Sequence, residues 1–310
     1  MATHPPAFPA RAWLPYAVLA GGIMIAASAA IMIRSAQDLG APSLLIAAGR
    51  LCIAALILAP IGLWRARADV RAADVRDINL ALLSGVFLAL HFAAWIASFA
   101  YTSVASSVAL VATNPLWVAI ASVVLFRERL TRMVVVGIVL TALGSVAIGL
   151  SSGGGNTATA GRTTLLGNGL ALLGAIAGSG YFLIGRGLRR RMPVLPYIWL
   201  SYTSAALVLL MAALVLVPDV IGTTLALPPL VWALLIGLAI GPQLLGHTAF
   251  NWSLGKLSAT FVAIALLGEP IGSALLALIF FQEGFTLQQF VGFVLLLAGI
   301  VVASLGEGTK

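Results

Sequence analysis

A chain of 310 residues that is 61% hydrophobic and 8% charged has a mean hydropathy of +1.11. Soluble globular proteins carry about 25% charged residues, so that class is excluded and the chain reads as an all-α integral membrane protein. The formal charge of +8 does not call for nucleic acid, because basic residues in short loops that set membrane orientation account for it.

The Pro-rich opening from His4 to Pro9 leads into Trp13–Ile33, an apolar run long enough to span and read as an uncleaved first helix. Nine more stretches qualify as spans of about 20 apolar residues. The first five are completed by Ser43–Trp64, Ile78–Ser98, Ser103–Phe126 and Met133–Ser151. The second five are Leu165–Gly185, Val194–Val217, Leu230–Trp252, Leu257–Phe281 and Leu287–Ser304. Residues 152–164, rich in Gly, Ser, Thr and Asn, read as a flexible linker between segments 1–151 and 165–310. The one cysteine, Cys52, lies in an apolar run, so no disulfide forms within the chain.

Lys and Arg set the orientation. With the N-terminus inside, Arg65, Arg67, Arg71 and Arg76, then Arg127, Arg129 and Arg132, then Arg186, Arg189, Arg190 and Arg191 all fall inside. Only Arg34 and Arg162 fall outside, which places both termini in the cytoplasm.

A shift of 155 residues lays the first half on the second. Ser103 meets Ser258, Pro115 meets Pro270, Glu128 meets Glu283 and Thr131 meets Thr286. Gly137 meets Gly292 and Gly144 meets Gly299, so the chain carries an internal duplication. Because each unit has an odd number of helices, the second enters the membrane from the opposite side. The expected fold is ten transmembrane helices as two inverted five-helix repeats, with a midplane site between them.

The residues that repeat carry a resemblance. Asn114-Pro115, Glu128, Thr131, Gly137 and Gly144, matched by Glu269-Pro270, Glu283, Thr286, Gly292 and Gly299, resemble the EamA-type domain. Tandem copies of that domain build the ten-helix exporters of the drug/metabolite transporter superfamily. More narrowly, the chain resembles the YddG type, bacterial inner-membrane exporters of aromatic and other neutral amino acids. The resemblance implies export of small metabolites across the bacterial inner membrane, most of all amino acids.

Several residues are candidates for the solute path. Pro115 and Pro270, read as mid-helix, would free the carbonyls of Val111 and Leu266 and kink both helices. Glu269 is read midway along the ninth helix, where a carboxylate costs a few kcal/mol to insert. It either holds the kink through backbone hydrogen bonds, or contacts solute or exchanges a proton. Arg50, about two turns inside the second helix, is expected to snorkel to the outer interface. Its second reading is a charge partner for a carboxylate, on the solute or on Glu269.

Ser84, His91, Trp95 and Ser98 form a stripe on the third helix, and Gln243, His247 and Asn251 form another on the eighth. Ser103, Ser107, Asn114 and Trp117 make a looser stripe on the fourth. Taken singly, such residues serve as interhelical hydrogen-bond partners. Taken together, and joined by Tyr101 and Tyr181, they suit a hydrated cavity with aromatic walls for a small zwitterion. The pairs Gly174/Gly178 and Gly237/Gly241 are expected to let helices pack closely, and Glu128 and Glu283 to cap helix ends or pair with loop arginines.

Competing classes leave weaker marks. Gly255-Lys256-Leu257 lacks the glycines and Ser or Thr of a phosphate loop, so no ATP-driven reading follows. An intramembrane serine protease would use Ser179 and His247, but Ala177 interrupts the nucleophile pattern. Neither a zinc motif nor a Cys/His cluster is visible, and no cofactor or metal is expected. A passive channel, or an exporter of drugs, nucleobases or sugars, remains an alternative. The expected partners are a small-molecule solute and the lipid bilayer, with the monomer as the working unit.

Overall fold

A computed structural model describes residues 13–114, 116–118, 120–121, 131–151, 158–253, 256–257, 265–266, 268–284 and 286–307. Pro115 and Glu128 lie outside the described residues. Every regular element among the described residues is helical, as a bilayer requires of a chain whose backbone must bond to itself. Among the described residues six helices are long and apolar enough to cross a membrane: Leu14–Asp38, Ser43–Ala72, Val75–Ser98, Thr163–Leu188, Val194–Leu216 and Pro229–Ser253. Shorter apolar helices cover Arg132–Ile148, Gly268–Phe281 and Leu287–Ala303.

Within these rods the helix type changes at identifiable residues. Helices α1 (Leu14–Ala27) and α2 (Ala29–Asp38) meet at Ser28, whose hydroxyl bonds back to the Ile25 carbonyl at 2.7 Å. Such side-chain bonding to the helix backbone favours a bend. Helix α3 (Ser43–Ile61) carries Pro60 and passes through a π-turn at Gly62–Ala66 into α4 (Arg67–Ala72). Helices α5 (Val75–Ser98) and α6 (Val104–Val111) follow, then α7 (Arg132–Ser151), α8 (Ala158–Leu188) and α9 (Val194–Leu216). A short α10 (Val220–Leu225) precedes α11 (Pro229–Leu238), which runs through a π-segment, Ala239–His247, into α12 (Thr248–Ser253). Pro242 sits inside that π-segment, where the missing N–H breaks the ordinary ladder. The chain closes with α13 (Gly268–Phe281) and α14 (Leu287–Glu307).

Three expectations change. Helix α8 begins at Ala158, inside the stretch read as a linker. The fourth predicted helix is not continuous: α6 ends at Val111, the chain turns at Ala112 and Thr113, and helical geometry resumes at Asn114. The ninth breaks likewise, with a turn at Leu266 and α13 starting at Gly268. Glu269 and Pro270 therefore lie in the first turn of α13, not mid-helix. A proline there has no helical hydrogen bond to lose, and a carboxylate meets the positive end of the helix dipole. The Leu266 carbonyl is not freed, since the Glu269 N–H donates to it at 3.0 Å.

Helix α5 packs on α8 and α9, α3 on α9, and α1 on the π-segment and α12. Helix α7 lies along α14, and glycines set their distance. A methyl group on Gly137 would come 2.5 Å from the Gly299 carbonyl oxygen, and one on Gly144 2.6 Å from that of Gly292. Lower numbers on α7 meet higher numbers on α14, so the pair is antiparallel. Thr141 stands between, its hydroxyl donating to the Leu296 carbonyl at 3.4 Å. The 155-residue shift carries 137 to 292, 141 to 296 and 144 to 299, so these contacts map onto one another when the halves are exchanged. Gly174 and Gly178 bring α8 close to α5 less tightly, with an added methyl 3.2 Å from Trp95 Cβ and 2.8 Å from His91 Nδ1, whereas Gly237 and Gly241 meet only ordinary contacts with Met32 and Ile25. Glu283, just past α13, accepts from the Val104 N–H at 2.9 Å and so caps α6 from the other half of the chain. Asp77 in the first turn of α5 pairs with Arg191 at 3.0 Å, tying α5 to the turn after α8.

Crowding at the α7–α14 crossing leads to a direct test. Gly144→Val should destabilise the purified protein by about 1–3 kcal/mol through overpacking, read as a lower melting temperature in detergent. Gly169→Ala, where an added methyl meets nothing within 4 Å, should hold or raise it.

Candidate functional site

The polar side chains that helical spacing lined up converge in the interior. Helix α3 contributes Arg50, α5 contributes Ser84, His91, Phe92 and Trp95, and α8 contributes Tyr181. Tyr197 and Tyr202 come from α9, Gln243 and His247 from the π-segment, and Asn251 from α12. Phe92 is the hub. Its ring centroid lies 4.8 Å from that of His91, 6.2 Å from that of Trp95 and 5.6 Å from that of His247. The rings of His91 and Trp95 stack at 5.7 Å with 23° between their planes.

Arg50 does not snorkel. Its relative exposure is 0%, and its guanidinium carbon sits 4.0 Å from the centre of the Phe92 ring. Its Nε donates to Gln243 Oε1 at 3.0 Å, while Nη1 and Nη2 make no hydrogen bond among the described residues. The cation–π contact contributes about 2 kcal/mol when desolvated. That offsets only part of the several kcal/mol that burying a charge costs. Glu269 lies within electrostatic reach of Arg50, but the ion pairs closer than 4 Å among the described residues are Arg34–Asp38 and Arg191–Asp77.

The histidines differ in their partners. His91 Nδ1 lies 2.8 Å from the Gly174 carbonyl, which can only accept, so Nδ1 carries a proton. His247 Nδ1 has no hydrogen-bond partner among the described residues. Asn251 Nδ2 donates to the Tyr181 hydroxyl at 2.9 Å and to the His247 carbonyl at 2.8 Å. Tyr181 and Tyr197 stack at 6.1 Å, and the Tyr197 hydroxyl meets Ser84 Oγ at 2.8 Å.

Asn114 reaches the region through the break after α6, whereas Trp117 is held on its own segment. Ser179 Oγ donates to the Asn114 carbonyl at 2.9 Å, and Trp117 Nε1 donates to Thr113 Oγ1 at 3.1 Å. A methyl group on Gly178 would strike His91 Nδ1 at 2.8 Å and approach Asn114 Oδ1 at 3.2 Å, so this glycine makes room for both.

Not every candidate joins. Tyr101 is 41% exposed in the turn after α5, away from the cluster. Ser98 and Ser107 bond to each other at 2.6 Å and hold α5 to α6, and Ser103 caps α6. Ser179 Oγ lies on the carbonyls of Ala175 and Asn114, and no histidine among the described residues is in hydrogen-bond contact with it, so the Ser179–His247 pair of a serine protease is not assembled. Among the described residues no three His, Cys, Asp or Glu side chains gather as metal ligands. The side chains gathered here are hydroxyls, amides, imidazoles, aromatic rings and the Arg50 guanidinium.

Sequence reasoning missed Phe92, Tyr197, Tyr202 and Pro242. Pro242 carried a legible signal, a proline following Gly241 inside an otherwise apolar span. Phe92 carried none, because a phenylalanine in a membrane helix is ordinary.

A solved crystal structure covers 96% of this chain and 99% of its own with a TM-score of 0.64. At 18% identity that likeness concerns the fold alone. A protein of Bacillus subtilis (strain 168), described as the uncharacterized transporter YxxF, is 26% identical over 230 residues, 73% of this chain and 70% of the relative. The model of the EamA-like transporter family matches residues 13–150 and again 165–305. Two matches that together span nearly the whole chain, on an all-helical, multi-pass frame, make it a member of the EamA-like transporter family, within the drug/metabolite transporter superfamily.

Proposed function

We propose that the chain is a secondary transporter that exports small metabolites, foremost aromatic and other neutral amino acids, across the bacterial inner membrane by alternating access. The observation that carries this is the aromatic and polar cluster around Phe92, assembled from α3 and α5 of the first half and α8, α9, the π-segment and α12 of the second. A site shared by two related units can be uncovered on either side as one unit rocks against the other. The proposed architecture is ten helices in two inverted repeats, residues 1–151 and 165–310 joined by 152–164, with both termini cytoplasmic. The antiparallel α7–α14 pair, whose contacts interchange under the 155-residue shift, supports that inversion.

In this reading His91, Trp95, Trp117, Tyr181 and His247 provide ring faces for an apolar side chain. Asn114, Gln243 and Asn251 provide hydrogen bonds to the polar end. The breaks at Ala112–Thr113 and at Leu266 let the helix segments around Asn114 and Glu269 tilt. With no nucleotide motif in the sequence, net flux follows solute or ion gradients, and a monomer suffices.

Topology is the first test. In a Cys52→Ser background, single cysteines at Arg129 and Gly284 should be labelled from opposite sides of the membrane; labelling from one side ends the inverted reading. Transport is the second. Liposomes should show saturable counterflow of labelled phenylalanine, and Trp95→Ala should raise the half-saturating concentration about tenfold, the loss of ~1.4 kcal/mol of ring contact. Flux that never saturates would identify a channel. In cells, overexpression should protect against fluorinated aromatic amino acids, and unchanged sensitivity with confirmed membrane expression counts against the substrate class.

A further inference from the structure

Resting on the transport reading above, we propose that Arg50 receives the carboxylate of the solute, so that a carboxylate group is the determinant that every substrate must carry. The guanidinium is already oriented. Gln243 holds Nε at 3.0 Å and the Phe92 ring supports one face at 4.0 Å, which leaves Nη1 and Nη2 as a free two-pronged donor edge. A planar fork of this kind matches the two oxygens of a carboxylate.

The neighbours point the same way. Trp95 Nε1 and His247 Nδ1 are buried and make no hydrogen bond among the described residues. The Tyr202 hydroxyl lies against the side chains of Gln243 and Thr248, so those three groups answer one another. The indole N–H of Trp95 only donates and the imidazole nitrogen of His247 can donate; neither is an obligate acceptor. A cluster whose open positions are donors around a buried cation fits an anion. Sugars and nucleobases would leave the charge unanswered, and lipophilic cations would be repelled by it. The carboxylate of Glu269 is the protein's own acid within reach of Arg50, yet it forms no ion pair under 4 Å, so the fork stays available.

Four probes separate the possibilities in the purified protein and in liposomes: phenylalanine, phenylalaninamide, 3-phenylpropionate and phenethylamine. Phenylalanine and 3-phenylpropionate should compete for the site, while the amide and the amine should compete at least about a hundredfold more weakly. Arg50→Gln should abolish that discrimination and Arg50→Lys should weaken it. Equal competition by phenylalaninamide in the unaltered protein overturns the proposal without needing any variant to fold. Recovery of phenylalanine binding in the Arg50→Gln, Glu269→Gln double variant also overturns it, because Arg50 would then serve only to balance Glu269. Saturable transport confined to uncharged sugars or nucleosides would remove the carboxylate requirement and leave the carrier standing. Silence from all four probes and from aliphatic amino acids would remove both.

Discussion

Lipid offers a backbone nothing to hydrogen-bond with, and this constraint governs where the chain is free to be irregular. Departures from the α-ladder inside a bilayer survive only where protein covers them or water reaches them. The interruptions seen here obey that rule and are concentrated where helices from the two halves meet. Pro242 and its π-segment deliver Gln243 and His247 to Arg50 and Phe92. The break after α6 delivers Asn114 to Ser179. The break before α13 places Glu269 within reach of Arg50. The interior site is thus a product of helix defects, each held by neighbouring side chains.

Hydrophobic side chains give helices little reason to pair when the solvent is itself hydrocarbon, so close contact depends on small residues. The two kinds of glycine contact divide the work. Along α7 and α14 they bring backbone against backbone at Gly137, Gly144, Gly292 and Gly299 and involve no group suited to solute. On α8, Gly174 and Gly178 lower the surface so that Trp95 and His91 can lie against it. The same residue type joins two backbones in one place and makes room for an indole and an imidazole in another.

Much of this was legible in the residues themselves. The 155-residue shift pointed to the α7–α14 glycines because glycine and proline constrain backbone directly and leave a readable mark. The stripes on α5 and on the Gln243–Asn251 segment were found because polar side chains are rare in an apolar chain. Their mutual distances were not legible, since they depend on how separate helices cross. Arg50 shows the limit most clearly: two turns from a helix end permits either snorkelling or burial, and only the presence of Phe92 and Gln243 around it decides. Glu269 was misplaced for a related reason, because an unbroken apolar run conceals a helix end unless the proline is read as a start instead of a kink.

Glu283 closes the picture from the periphery. Its carboxylate holds the first amide of α6 although it belongs to the segment after α13, nearly 180 residues further along the chain. A tilt of α13 without a matching shift of α6 would have to break this bond, so the segment after α13 and the first turn of α6, which belong to opposite halves of the chain, are fixed to each other.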